Sequence, residues 1–155
     1  MVSMPDSVGE FLSRQRIAVA GVSRKPDEAA NLIFRKLRDA SYEVFAVNPN
    51  AAEVEGVHSY PDLASIPGGV EAVVVATHPK VSAQIVRQCA DLGISKVWFH
   101  RAFGEGSVSE EALEECSRLG IDPIVGGCPM MYCAPVDFGH RCMRWLLKHQ
   151  GKIPA

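Results

Sequence analysis

Apolar and polar positions along this chain follow two rhythms. Continuous apolar runs begin at Ile17 and recur at 43–47, 72–76, 96–99 and 122–125, three of them closed by Gly21, Asn48 and Gly126. Unbroken runs of that length are what strands buried on both faces of a sheet require. A shorter run at 56–60 reads as a further strand. Between them apolar residues return every three or four positions. Ala30, Ile33, Leu37 and Ala40 mark a helix over 27–41, and Val81, Ile85, Val86, Cys89 and Leu92 mark one that Pro79 opens and Gly93 stops. Ala112, Cys116 and Leu119 mark another. The last carries Phe138, Cys142, Trp145, Leu146 and His149 on one side, with Asp137 as its cap and Gly151 and Pro154 at its end.

Ser7-x-x-Glu10 and Ser107-x-x-Glu110 have the spacing of capping boxes, so a short leading helix is expected within 1–16, with Val8, Phe11 and Leu12 on one face, and a second after Gly104-Glu105-Gly106. Residues 61–66 allow one brief helix before Pro67-Gly68-Gly69. Strands alternating with helices at these short spacings predict an α/β fold. It is a doubly wound parallel sheet of five or six strands in three layers α/β/α, joined by right-handed crossovers.

Ligands of such sheets lie beyond the carboxyl ends of the strands, where the strand order reverses. The first strand end, Gly21-Val22-Ser23-Arg24-Lys25, has the makings of a phosphate-holding turn. Glycine permits close backbone approach, the following helix offers free N–H groups, and Ser23 and Lys25 add a hydroxyl and a charge. The full G-x-G-x-x-G is absent, and so is the G-x-x-x-x-G-K-[ST] of nucleotide hydrolases. The second strand ends in Asn48-Pro49-Asn50, where a domain that holds NAD usually places Asp or Glu. An NAD-binding regulatory module therefore ranks below a phosphorylated adenosine ligand of another kind.

Composition narrows the class without naming a ligand. The chain has 155 residues, enough for one domain with a sizeable core, and is 47% hydrophobic and 22% charged. A formal net charge of -2 gives no reason to expect a nucleic-acid partner. No run reaches the length of a spanning helix and no signal peptide is evident, so a cytoplasmic protein with no membrane partner is expected. The five cysteines are odd in number and do not form a secreted disulfide framework.

Ala20-Gly21-Val22-Ser23, residues 42–50 (YEVFAVNPN), Tyr60-Pro61-Asp62-Leu63, Ile66-Pro67 and Lys96-Val97-Trp98-Phe99 together resemble the small CoA-binding domain family. That family is similar to the amino-terminal domain of the succinyl-CoA synthetase alpha subunit. The likeness covers about residues 12 to 128. It implies one Rossmann-like domain over 1–155 that binds CoA or an acyl-CoA without catalysis of its own. On this resemblance Gly21, Val22 and Ser23 contact the phosphates, Lys25 neutralises them, Asn48 and Pro49 line the nucleotide, and Thr77 and Pro79 border the pantetheine path. Two positions depart from the family pattern: His78-Pro79 stands where an arginine often precedes the proline, and Gly126-Gly127-Cys128 where Asp-Arg often precedes the cysteine.

The carboxyl-terminal third keeps other readings open. Cys128, Cys133 and Cys142 offer thiols for a redox or metal-binding sensor or enzyme, and Cys128 at a strand end is a candidate reactive thiol. Their spacing lacks paired C-x-x-C knuckles, so no metal ligand is assigned. His78 and His100 both stand at strand ends, where a proton carrier would face a ligand. Neither has an evident carboxylate partner, and no catalytic residue is assigned. The basic face of Arg141, Arg144, Lys148 and Lys152 reads as solvated. The apolar knot Met130-Met131-Tyr132 either covers the cofactor or a subunit interface, which leaves a homodimer open, or equally packs in the core.

Overall fold

The computed structural model describes residues 4–101 and 106–154. Its core is a seven-stranded sheet in the order β3-β4-β2-β1-β5-β6-β7, formed by β1 (Arg16–Ala20), β2 (Glu43–Val47), β3 (Glu53–Val54), β4 (Val57–Tyr60), β5 (Ala72–Val75), β6 (Lys96–Phe99) and β7 (Ile124–Val125). All neighbouring pairs are parallel except β3 with β4. The strand beyond the six legible in the pattern is β3. It joins β4 through Glu55-Gly56, whose φ angles of 52° and 72° make the two-residue hairpin turn that asparagine-glycine usually signals.

Successive side chains of each strand point to opposite faces, which divides the core. Ile17 and Val19 of β1 and Ala72 and Val74 of β5 meet α1 (Asp6–Leu12), α2 (Ala29–Asp39) and Leu147 of α5 (Phe138–His149). Ala18, Ala20, Val73 and Val75 face α3 (Pro79–Asp91) and α4 (Glu110–Arg118). The result is the α/β/α Rossmann-like layering that the pattern predicts.

Several local expectations change. α1 follows Pro5 with no side-chain cap, so Ser7 and Glu10 lie inside the helix and form no capping box. α4 is capped by Ser109, whose hydroxyl accepts from the Ala112 N–H, while Ser107 is buried and its carbonyl accepts from Ser82 Oγ at 2.6 Å. Gly104 and Glu105 lie outside the described residues. Residues 61–66 form turns rather than a helix. Asp62 Oδ1 accepts from both the N–H and the hydroxyl of Ser65, a local bond that competes with helical pairing.

The largest change concerns α5. Asp137 caps it as expected, accepting from the His140 N–H at 3.0 Å. Its expected stripe faces outward: Phe138 is 79% and Trp145 58% exposed, Cys142 and Leu146 are exposed, and Leu147 on the opposite side is the buried anchor. The chain end is fastened just beyond. The Lys152 carbonyl lies against Gly126, where any Cβ would overlap it, and Trp98 Nε1 donates to the Gly126 carbonyl at 3.1 Å. Trp98 is fully buried, with Phe11 edge-on at 5.3 Å and Tyr132 at 5.8 Å. Met131 and Tyr132 of the apolar knot therefore belong to the core. Among the described residues no helix is long and apolar enough to cross a membrane.

Candidate functional site

A cleft of about 830 Å³ opens at the carboxyl ends of β2, β1 and β5. β1 and β5 are sheet neighbours whose onward helices, α2 and α3, pack on opposite faces, so the cleft stands where the strand order reverses. Its floor is Ala20, Gly21, Val47 and Ala76. One end carries Ser23, Arg24 and Lys25 from the turn after β1 and Asn48, Pro49 and Asn50 from the turn after β2. The other carries Thr77 and His78 and the flank of α3 with Val81, Gln84, Ile85 and Gln88. Both lysine or arginine side chains among the described lining residues are at the first end. The cleft thus gathers its two cations at one end, has Glu28 and Asp62 also in its lining, and is partly apolar and amide-bearing along α3.

The polar groups that shape it are bonded to one another. Gly21 has a φ of 106°, and a Cβ there would come within 2.8 Å of the Ala76 carbonyl carbon. The glycine therefore serves the close approach of β1 and β5, in addition to leaving its backbone open to a ligand. Asn31 of α2 is buried and clamps the turn from beneath. Its Oδ1 accepts from the Ser23 N–H at 3.0 Å, and its Nδ2 donates to the Ser23 carbonyl at 2.8 Å and to Glu55 Oε1 at 2.7 Å. Asn48 ties the two strand-end turns together, donating to the Val22 carbonyl at 2.9 Å and accepting from the Asn50 N–H at 2.8 Å. Ser23 Oγ accepts from the Lys25 N–H at 3.1 Å, and Gln88 Oε1 from the Leu63 N–H at 3.0 Å.

Of the residues singled out by sequence, Gly21, Ser23, Lys25, Asn48, Pro49 and Thr77 all line this one cleft. Val22 does not: its side chain is fully buried in the core and only its carbonyl engages the site, through Asn48. Pro79 does not line it either. It opens α3, whose N-cap His78 accepts from the Lys80 N–H through Nδ1 at 3.2 Å, leaving Nε2 as the nitrogen that carries the proton on a neutral ring. Asn31, Gln84, Gln88 and the cleft-lining role of Asp62 were not legible. Asn31 sits at a helix position where asparagine has no periodic signal, and the two glutamines look like any polar helix residues.

The electrostatics bear on the remaining candidates. Burial pushes Glu55 up, but hydrogen bonds from Asn31 and Arg35 and the Arg35 charge outweigh it and hold the carboxyl below its usual range. Hydrogen bonds from Ser65 do the same for Asp62. His100 does not line the cleft, and burial lowers its pKa, which keeps it neutral at neutral pH. No carboxylate bonds to His78 among the described residues.

The reading of Cys128 as a reactive thiol is overturned. It is 4% exposed, and burial pushes its thiol up to about 12, against the depressed value that reactivity needs. Burial also raises Cys133 and drives Cys89 to about 12 and Cys116 to about 11. Cys142 is exposed, and no three His, Cys, Asp or Glu side chains come together as a metal site among the described residues. Native protein treated briefly with iodoacetamide at neutral pH is therefore expected to gain one alkyl group, on Cys142. Peptide mass spectrometry that finds Cys128 labelled at a similar rate would contradict this burial.

A cleft at the reversal point of an open parallel sheet, with Arg24 and Lys25 gathered at one end, stands where folds of this kind hold their ligands. Comparison with known proteins narrows the class: residues 15–134 match the family model described as CoA binding domain, and the chain belongs to that family. It is 29% identical to the uncharacterized protein YneT of Bacillus subtilis over 78% of this chain and 87% of that one. It is 30% identical to the alpha subunit of ADP-forming acetate–CoA ligase II of Pyrococcus furiosus, over 70% of this chain but only 24% of the ligase subunit. A hypothetical protein from Pyrococcus horikoshii OT3 has the same fold, with a TM-score of 0.72, 28% identity and coverage of 84% of this chain and 94% of that one.

Proposed function

We propose that this chain binds CoA or an acyl-CoA in the cleft above β2, β1 and β5 and performs no chemistry of its own. The observation that carries the reading is the match of residues 15–134 to the CoA binding domain, in a fold whose cleft lies at the strand-order reversal. The turn after β1 suits the pyrophosphate, with Gly21 leaving the backbone open to close approach and the Ser23 hydroxyl and the charge of Lys25 available to it. The flank of α3 beyond Thr77, with Val81, Gln84, Ile85 and Gln88, suits a neutral chain of amides. Absence of catalysis is argued from the lining itself, which among the described residues pairs no nucleophile with a base.

The test is a thermal-shift series on reduced protein with CoA, acetyl-CoA, ATP and NAD. At a hundred times its dissociation constant, CoA is expected to add about 2.7 kcal/mol, a rise on the order of 5 to 10 °C for a domain of this size. NAD is expected to give no shift, and Lys25→Ala to reduce the shift with CoA. No response to CoA, in protein freed of any copurified ligand, would remove the function and leave the fold standing.

A further inference from the structure

We propose that Arg24 is the specificity-determining cation of this cleft, pairing with a phosphate carried on the ribose of the ligand's adenosine and so selecting CoA over dephospho-CoA. The inference rests on the CoA reading above. The Arg24 guanidinium leaves the turn after β1 and crosses to the turn after β2, where Nη2 donates to the Asn50 carbonyl at 3.2 Å. In doubly wound folds the end of the second strand faces the adenosine ribose, and an acid there accepts from free hydroxyls, whereas an arginine accommodates a phosphorylated one. Here β2 is followed by Asn48-Pro49-Asn50-Ala51, with no acid before Glu53, which begins β3 and does not line the cleft.

Asn48 is a poor substitute for that acid, because its amide is already bonded at both ends to Val22 and Asn50. The two acids of the lining come from other segments, although β4, which precedes Asp62, ends beside β2. Glu28 is the N-cap residue of α2, and Asp62, after β4, is turned onto Ser65. Lys25 has a different place. Its N–H is held by Ser23 Oγ within the β1 turn and its carbonyl accepts from the Glu28 N–H as α2 begins; its charge is assigned to the pyrophosphate that CoA and dephospho-CoA share. The two cations thus divide the ligand: one reads what every such ligand carries, the other the single group that distinguishes CoA.

The division predicts opposite patterns in two variants, Arg24→Gln and Lys25→Gln, measured by calorimetric titration with CoA and dephospho-CoA at one fixed salt concentration. A charge-assisted phosphate bond is worth about tenfold or more in affinity. Wild-type protein is expected to hold CoA tighter by about that factor. Arg24→Gln loses it for CoA and binds dephospho-CoA within about twofold of wild type, whereas Lys25→Gln weakens both ligands alike. Equal wild-type affinity for the two ligands, or equal loss of both in Arg24→Gln, overturns the assignment while leaving CoA binding intact. Failure of the wild-type protein to bind either one overturns both readings.

Discussion

Gly21→Ala is expected to lower the unfolding free energy by more than about 3 kcal/mol, or to prevent folding altogether. The added methyl meets the backbone of Ala76 and Thr77, neither of which can rotate away, at a φ of 106° that L residues rarely adopt. Relief requires β1 and β5, paired over four residues, to separate at their carboxyl ends. The measurement is a urea unfolding curve followed by circular dichroism. Gly9→Ala is the control, since that glycine lies within α1 with only the Met4 sulfur near, at 3.8 Å, and alanine there should gain about 0.5 to 1 kcal/mol. A Gly21→Ala protein of wild-type stability that has lost only ligand affinity would show that the glycine serves the ligand alone.

Asn31→Ala carries the second largest effect, a loss of about 2 to 4 kcal/mol. It removes three hydrogen bonds and leaves the Ser23 N–H and carbonyl in a half-buried turn without their partners. The deficit is expected to depend on pH through Glu55. Its folded pKa is held below the unfolded value, so the stability it contributes is present above the unfolded pKa and disappears as pH falls through the folded one. Asn31 supplies part of that depression, so the gap between wild type and variant should narrow in acid by the Glu55 share, while the share of the Ser23 bonds remains. Urea midpoints at pH 7 and pH 3.5 check this; an equal gap at both would assign the whole effect to the Ser23 bonds. CoA affinity is also expected to fall, because the turn loses its clamp.

The sheet was legible because both faces of its central strands are covered. Val73 and Val75 point to one layer and Ala72 and Val74 to the other, so the run had to be continuously apolar, and such runs are hard to mistake. The cleft was half legible for a related reason. Turn residues such as Gly21, Ser23 and Asn48 stand at strand ends, and topology alone brings those ends together. Asn31 and Gln88 escaped notice because their bonds span 8 and 25 residues of chain, and no local pattern marks a helix polar group that turns inward. The caps of α1 and α4 failed through competition. Pro5 starts one helix without a side chain, and Ser107, two residues before the true cap, is drawn into the core against Ser82. For α5 the periodicity was right and the side was wrong, since a stripe in sequence does not say which face its neighbours will cover.

The two tryptophans stand in opposite surroundings, and that makes them separate optical reporters. Trp98, enclosed by Phe11 and Tyr132 and bonded to Gly126, should emit at short wavelength and resist acrylamide until the whole sheet opens. Trp145, exposed on α5 with the His149 ring 4.3 Å away, should emit at long wavelength and be quenched freely while the protein is native. A single intrinsic-fluorescence titration therefore resolves into two signals, one following global cooperativity and the other the local state of the carboxyl-terminal helix.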